Sequence, residues 1–540
     1  MSKMKRFSAA ALAGLMAVSA FSALATAEES ERITISVLGV DWGYGPIANS
    51  DMEQYWEEMY DVNLDIEWVS YQDYHQKINT LIAGEEFPDV VQIYKMNNAY
   101  YYPIFTQAID NGLFLDMTPY LFADGEGIAE TNAVMKNWGD SMWEQATYNG
   151  GIYILPRSKA EVFQQSGINV RRDLMKKYGF EEEPQTMEEL KTWLIDLSNA
   201  ATEGEGEKIY ALDFYGEDFM QDRVKAFAVA FTGQMDWGLD ENGEFQYMQF
   251  NEKYIDFLNW MKDLYEADVL DPEFVLNNSE TSKWKAGRSI GYLCAWYNWN
   301  QSADLVSNKI FDKNTPDTYE AWCLMPIEGP EATMVNVNSS DIDSCVAINA
   351  NCDEEKIAKI MEVFNGTEEE YPGYNMIMSN GVEGIHYKLL EDGTVDTSDE
   401  EMGKKRTEGY VGAWNQIFLK TDADQIKDKF MRSGAKRASD ESIQRATDIK
   451  AELVEFVEET GIKHENTNLQ SETYNNEWAN VVADVNANCA LYVQGELSEE
   501  EWKDFVAEIV ESDEYKAIQA EYKAAKEAGA EEVTTEEAAE

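Results

Sequence analysis

The sequence predicts an α/β protein: a mostly parallel sheet with helices on its faces, in more than one structural unit. Three observations carry this. Between residues 33 and 93 the apolar pattern alternates strand, helix, strand, helix, strand. The alternation resumes after Gly150-Gly151, and 540 residues exceed what one hydrophobic core usually organises.

The elements follow in order. Ile33-Thr34-Ile35-Ser36-Val37-Leu38 is a β-branched run ending at Gly39, hence a strand, and a polar aromatic loop follows from Asp41 to Pro46. Residues 50–60 have helical spacing. Val62, Leu64, Ile66 and Trp68 alternate with polar residues as a second strand, and Tyr74 to Ala83 is a helix closed by Gly84. Pro88 to Ile93 is the third strand. Beyond Gly150-Gly151, Ile152 to Leu155 is a short strand broken by Pro156, and Glu161 to Ile168 is another. Arg172 to Tyr178 and Thr186 to Ala201 read as helices, the second with Thr186 as N-cap and Glu189 completing a capping box. Ile209 to Phe214 is a strand, and Tyr254 to Glu266 an amphipathic helix stopped before Asp271-Pro272. Ile290 to Cys294 is a buried strand that runs into Trp296 and Trp299. Ser344 to Ile348 is a further strand, with an acid-capped helix from Asp353. From Thr421 the chain reads as helical, with an Ala/Glu tail that frays from about Ala528.

Composition removes several function classes. The chain carries 102 acids against 43 Lys and Arg, a formal charge of −59. That field repels phosphate backbones and anionic lipid, which argues against nucleic acid and membrane surfaces as partners. An aromatic content of 12% is too high for a disordered acidic chain. At the N-terminus, Lys3, Lys5 and Arg6 precede an apolar run from Ala9 to Ala20, then Ala25-Thr26-Ala27, the pattern of an export signal cleaved after Ala27. No cysteine adjoins that point, so no lipid anchor is predicted. Five cysteines, 294, 323, 345, 352 and 489, read mostly as small core residues; Cys345 and Cys352 are spaced so that a strand could bridge to its turn.

Enzyme signatures are missing from the sequence. His75, His386 and His464 stand far apart, and no GxSxG, SxxK, Walker-A or GxGxxG stretch occurs. Asp422-Ala423-Asp424 opens like a calcium loop, but Ile426 and Lys427 fall where a ligand and glycine belong. With 102 acids, chance carboxylate pairs are unavoidable and carry no catalytic signal. Aromatics carry more. In open α/β sheets ligands bind outside the strands' carboxyl ends, and Trp42, Tyr44, Trp296 and Trp299 follow two such ends in loops that also hold Asp or Asn. Sugar rings lay apolar faces on aromatic faces while amides and carboxylates take their hydroxyls. A single Trp is more often core, as Trp260 is expected to be. Tyr100-Tyr101-Tyr102 reads as a helix start. Arg157 reads either as a clamp on a ligand or as an interdomain salt bridge.

Several stretches, in shared order, resemble one family. Leu81-Ile82-Ala83-Gly84-Glu85-Glu86-Phe87-Pro88-Asp89 is similar to an LxxGxxPD signature with one extra residue. Leu264-Tyr265-Glu266-Ala267-Asp268-Val269-Leu270-Asp271-Pro272-Glu273 is similar to LYxxGLIDPE, with Asp268 where glycine is usual. Gly150 to Arg157, Asn169 to Leu174, Trp284 to Arg288, Gly381 to Tyr387 and Gly495 to Ser498 agree as well. The chain thus resembles the family-1 extracellular solute-binding proteins, the maltose-binding-protein-like receptors of ABC importers, and within them the long, lipoprotein-type oligosaccharide receptors. That resemblance implies two α/β lobes joined by crossing hinge strands, with ligand clamped in the cleft. The implied division is residues 1–27 as signal, 28–157 plus about 335–395 as the first lobe, 158–334 plus about 396–527 as the second, and 528–540 as a flexible tail. By position it implies ligand contacts at Asp41, Trp42, Tyr44, Tyr94, Asn97, Arg157, Glu161 and Trp296; strand ends and analogy add Asp213, Tyr215, Trp299, Tyr374 and Trp414. The expected activity is oligosaccharide binding and delivery to ABC permease subunits by an exported monomer, with no cofactor and no chemistry. The alternatives are a same-fold receptor for peptides or other polar solutes, a secreted carbohydrate-active enzyme, and a cell-surface interaction protein.

Overall fold

The computed structural model describes residues 32–41, 47–95, 100–158, 167–213, 222–277, 282–294, 318–320, 322–324, 327–335, 337, 342–391, 395–397, 399–409, 414–419, 437–460, 462–467, 469 and 471–537. Two hydrophobic cores organise them. One gathers side chains from Ile35 to Leu155 and again from Ile342 to Leu419; the other gathers Ile168 to Val337 and Ala446 to Tyr522.

The first core is built on a five-stranded sheet in the spatial order Val62–Ser70, Ile33–Asp41, Val90–Ile93, Ile342–Ile348, Leu155–Ser158. The first three strands are parallel. Ile33–Asp41 is central and covered on both faces, so Val37 to Val40 are all buried. The helix Asp51–Tyr60 is capped by Ser50, whose hydroxyl accepts the Glu53 N–H, and Tyr71–Gly84 follows the second strand directly. This second helix closes through Glu85 at φ 54°, not through Gly84 itself. Pro156 does not break its strand. Leu155–Ser158 lies at the sheet edge, where a residue without an N–H is tolerated.

The last two strands carry the chain between the cores. Ile342–Ile348 runs antiparallel to both Val90–Ile93 and Leu155–Ser158. The chain therefore leaves the first core at the carboxyl end of the parallel strands and re-enters at that same end. The second sheet, in the order Trp322–Leu324, Gly167–Val170, Ser289–Cys294, Tyr210–Asp213, repeats the logic. Gly167–Val170 arrives from the first core, and Cys294 pairs with Gly167 at its beginning. Tyr210–Asp213 is parallel to Ser289–Cys294, so Asp213 ends on the same side. Both sheets are thus mixed where a mostly parallel sheet was expected, because strands arriving from the other core run against the strand–helix–strand direction. Both point their carboxyl ends toward the crossing.

The family-like signature around Asp89 has a physical role here. The Asp89 Oδ2 accepts the Ser36 N–H and hydroxyl, each at 2.8 Å, and the Lys356 ammonium lies 3.1 Å from both carboxylate oxygens. Cys352 donates its thiol to Oδ1 at 3.4 Å. One carboxylate thus joins the central strand to the helix Glu354–Phe364, which Asp353 caps through the Lys356 N–H. Cys345 donates to the Ile93 carbonyl instead, so both thiols are free and the bridge their spacing would allow is not formed.

Other expectations shift by a few residues. Glu189 sends its carboxylate to the Gln185 N–H, one residue before the Thr186 cap. Asp268 has φ 56°, the left-handed region where glycine costs least; Asp tolerates it, and the Lys208 ammonium holds its carboxylate at 2.9 Å. The first core keeps the chain past 395, to Leu419, because Trp414 and Phe418 pack on Trp56 at ring separations of 6.2 and 5.2 Å. Met334, Val335 and Val337 belong to the second core. The last helix runs Asp513–Glu537, well into the stretch expected to fray.

A half-buried and a buried carboxyl give opposite pH signatures. Burial alone would raise the Asp89 pKa, but its bonds to Ser36 and Lys356 outweigh that and hold it below the usual carboxylate range. Its stabilisation is complete above the unfolded value of about 3.9 and is lost as pH falls through the folded value. Asp89→Ala should cost about 2–4 kcal/mol in denaturant unfolding at neutral pH, with much of the acid-sensitive limb removed. Asp213 is the converse. Burial pushes its pKa up to about 6, against the pull of the Lys283 and Trp284 N–H groups. The folded state holds this proton more tightly than the unfolded state, so its contribution is full below about 3.9 and is lost as pH rises through about 6. Asp213→Asn should flatten the fall in melting temperature across that window, while an unchanged profile would contradict the assignment.

Candidate functional site

At the carboxyl end of the first sheet, Asp41 closes its strand opposite Ser70, and Tyr71 opens the next helix. Tyr94 directly follows Ile93. The Tyr71 and Tyr94 rings meet edge to face at 5.5 Å and 88°. His75, one helical turn beyond Tyr71, lies 6.1 Å from both Tyr94 and Tyr102. Burial lowers the His75 pKa and so favours the neutral ring, partly offset by a hydrogen bond with the Lys95 backbone. Tyr71 is 41% exposed. The sheet's end thus carries a carboxylate beside a half-open aromatic wall. Tyr71 and His75 were missed in the sequence because the alternation was read as ending at Trp68; the strand reaches Ser70, which brings the i, i+4 aromatic pair to the sheet edge.

At the facing end of the second sheet, Asp213 closes its strand. Its Oδ2 accepts the N–H groups of Lys283 and Trp284 at 2.6 and 2.8 Å, capping the short helix Ser282–Lys285. Its Oδ1 is buried and has no hydrogen-bond partner among the described residues. Seven expected contacts, Trp42, Tyr44, Asn97, Glu161, Tyr215, Trp296 and Trp299, lie outside the described residues.

Three expected contacts are drawn into the first core. Arg157 is fully buried; its guanidinium donates to the carbonyls of Ile417, Pro156 and Phe364 at 2.8, 2.9 and 3.1 Å, and burial lowers its pKa to about 10. Among the described residues its hydrogen-bond partners are backbone oxygens of its own core. Two of those oxygens lie at the ends of the helices Glu354–Phe364 and Trp414–Ile417, where the negative helix pole favours a cation. Tyr374 is buried with its hydroxyl toward the Leu419 carbonyl, and Trp414 packs edge-on against Trp68. These three hold the fold that carries the site.

A cavity of about 920 Å³ opens between the cores. Tyr101, Gln107, Asp110 and Tyr148 line it from the first; Glu472 and Asn475 line it from the helix Glu472–Val493 of the second. Tyr101 and Tyr148 stack at 5.3 Å and 23°. Among the described residues no cluster of three or more metal-binding side chains occurs, and no helix is long and apolar enough to cross a membrane. The arrangement offers ring faces and hydrogen-bond acceptors from two separate units.

Comparison with known proteins agrees with this architecture. The family described as bacterial extracellular solute-binding protein matches residues 43–359. A Bacillus subtilis relative, the polygalacturonan/rhamnogalacturonan-binding protein YtcQ, is 21% identical over 431 residues, covering 77% of this chain and 80% of its own. The structure of the Streptococcus pneumoniae ABC-transporter substrate-binding protein FusA in complex with kestose superposes with a TM-score of 0.60 at 15% identity, covering 92% of this chain and all of FusA. An extracellular solute-binding protein from Bifidobacterium longum subsp. infantis gives 0.58 at 14% identity, covering 92% of this chain and 99% of its own. The two cores are therefore the two lobes of a substrate-binding fold, and this chain belongs to the bacterial extracellular solute-binding proteins.

Proposed function

We propose that the protein binds an oligosaccharide between its two lobes and delivers it to the permease of an ABC importer, with no bond made or broken. The observation that carries this is the opposition of the two sheets' carboxyl ends. Asp41, Tyr71 and Tyr94 stand at one and Asp213 at the other, so a ligand between them touches both lobes. Exposed tyrosine rings suit the CH faces of sugar rings, and carboxylates suit their hydroxyls. The ligands named for these relatives, polygalacturonan, rhamnogalacturonan and kestose, are all saccharides. The protein acts outside the cytoplasmic membrane as a single copy, and lobe closure around the ligand creates the surface the permease reads.

Thermal-shift and calorimetric titration against oligosaccharides, with peptides alongside, tests the reading. Ligand at a hundred times Kd should stabilise the native state by roughly 2.7 kcal/mol, and Tyr94→Ala should weaken binding about tenfold. The saccharide should be recovered intact. Recovery of cleaved sugar would replace the receptor reading with a hydrolase, and shifts by peptides alone would overturn the ligand class.

A further inference from the structure

We infer that the cavity between the lobes takes a neutral oligosaccharide and discriminates against uronate chains. The inference rests on the receptor reading and names its substrate class. Its volume of about 920 Å³ stands near the top of the roughly 300–1,000 Å³ range of small-ligand pockets, room for several sugar rings. On the first-lobe wall Phe105, Tyr101 and Tyr148 form a row of near-parallel rings, spaced 5.8 and 5.3 Å. Tyr148 ends that row and lines the cavity. Such a platform accepts the apolar face of a pyranose or furanose.

The polar complement decides the charge class. Asp110 and Glu144 from the first lobe and Glu472 from the second are exposed carboxylates on the cavity wall, and among the described lining residues none is Lys or Arg. Carboxylates accept from sugar hydroxyls and repel sugar carboxylates. One feature would oppose this: the N-terminus of the helix Glu472–Val493 opens at the cavity, and helix N-termini attract anions. Here that attraction is already met from within the lobe. The Ser471 hydroxyl accepts the Tyr474 N–H at 3.0 Å, and the Glu521 carboxylate accepts the Thr473 N–H at 3.1 Å. The −59 charge of the whole chain adds repulsion of the same sign. The chain would thus depart from its Bacillus subtilis relative, whose name records polygalacturonan and rhamnogalacturonan.

Isothermal titration of the full chain with neutral hexasaccharides of gluco, xylo and fructo configuration, and with hexagalacturonate, tests this at low and at physiological ionic strength. A neutral hexasaccharide should bind at least tenfold more tightly than hexagalacturonate, and salt should narrow the gap by screening the repulsion. Tyr148→Ala should weaken neutral binding about tenfold. The exposed Glu472→Lys change, with no packing to disturb, should raise hexagalacturonate affinity relative to neutral sugar. Tighter binding of hexagalacturonate by the unmodified protein would overturn the inference, as would neutral binding indifferent to Tyr148→Ala or hexagalacturonate binding indifferent to Glu472→Lys, and each would leave the receptor reading standing. Binding of no saccharide would remove both together.

Discussion

Everything about the site follows from one topological constraint: the chain leaves the first sheet at Ser158 and must come back to it at Ile342. Because Leu155–Ser158 and Ile342–Ile348 are antiparallel neighbours, exit and return occur at the carboxyl end of the parallel strands. That is where an open α/β sheet exposes its ligand-binding loops. The second sheet receives the chain at Gly167, beside Cys294, and so turns its own carboxyl ends to the same place. The cleft is a consequence of strand direction before any side chain is considered.

The returning segment needs anchoring, since nothing local in sequence holds it to strands roughly 200–300 residues earlier. Two charged side chains do this from opposite ends of the helix Glu354–Phe364. Asp89 grips the start through Lys356 while bonded to Ser36 of the central strand; Arg157 grips the end through the Phe364 carbonyl. Arg157 also holds Ile417, extending the anchor to the aromatic group of Trp56, Trp414 and Phe418. A motif that sequence comparison reads as a family label is, in the molecule, a clamp on the return path. Its counterpart in the second lobe is Asp213, which caps the helix leading into Ser289–Cys294.

How much of this was legible in the sequence depends on range. Periodicity found the strand beginning at Ile33, the Ser289–Cys294 strand to within a residue and the Tyr254–Glu266 helix, because local apolar spacing determines them. It misjudged what depends on distant partners. Pro156 looked like a break because the edge position that excuses it is set by Ile342–Ile348. The burial of Arg157 and Trp414 was equally hidden, because a charged or aromatic residue beside a strand end or in a loop carries no mark of the core it enters. Strand direction in the second sheet was invisible, since period-2 alternation is the same for parallel and antiparallel neighbours. Tyr71 was missed for the smallest reason, a strand two residues longer than its alternation showed.

The division of the site between two lobes is what suits the molecule to the proposed reception. A ligand shifts the balance between open and closed lobes only by its differential affinity for the two states. Contacts confined to one lobe are the same in both and shift nothing. Asp41, Tyr71 and Tyr94 belong to one sheet end and Asp213 to the other, and Tyr148 and Glu472 line the cavity from either side of the same division. On the proposed reading, binding energy gathered from both sides would favour closure, a change of shape that a permease could read.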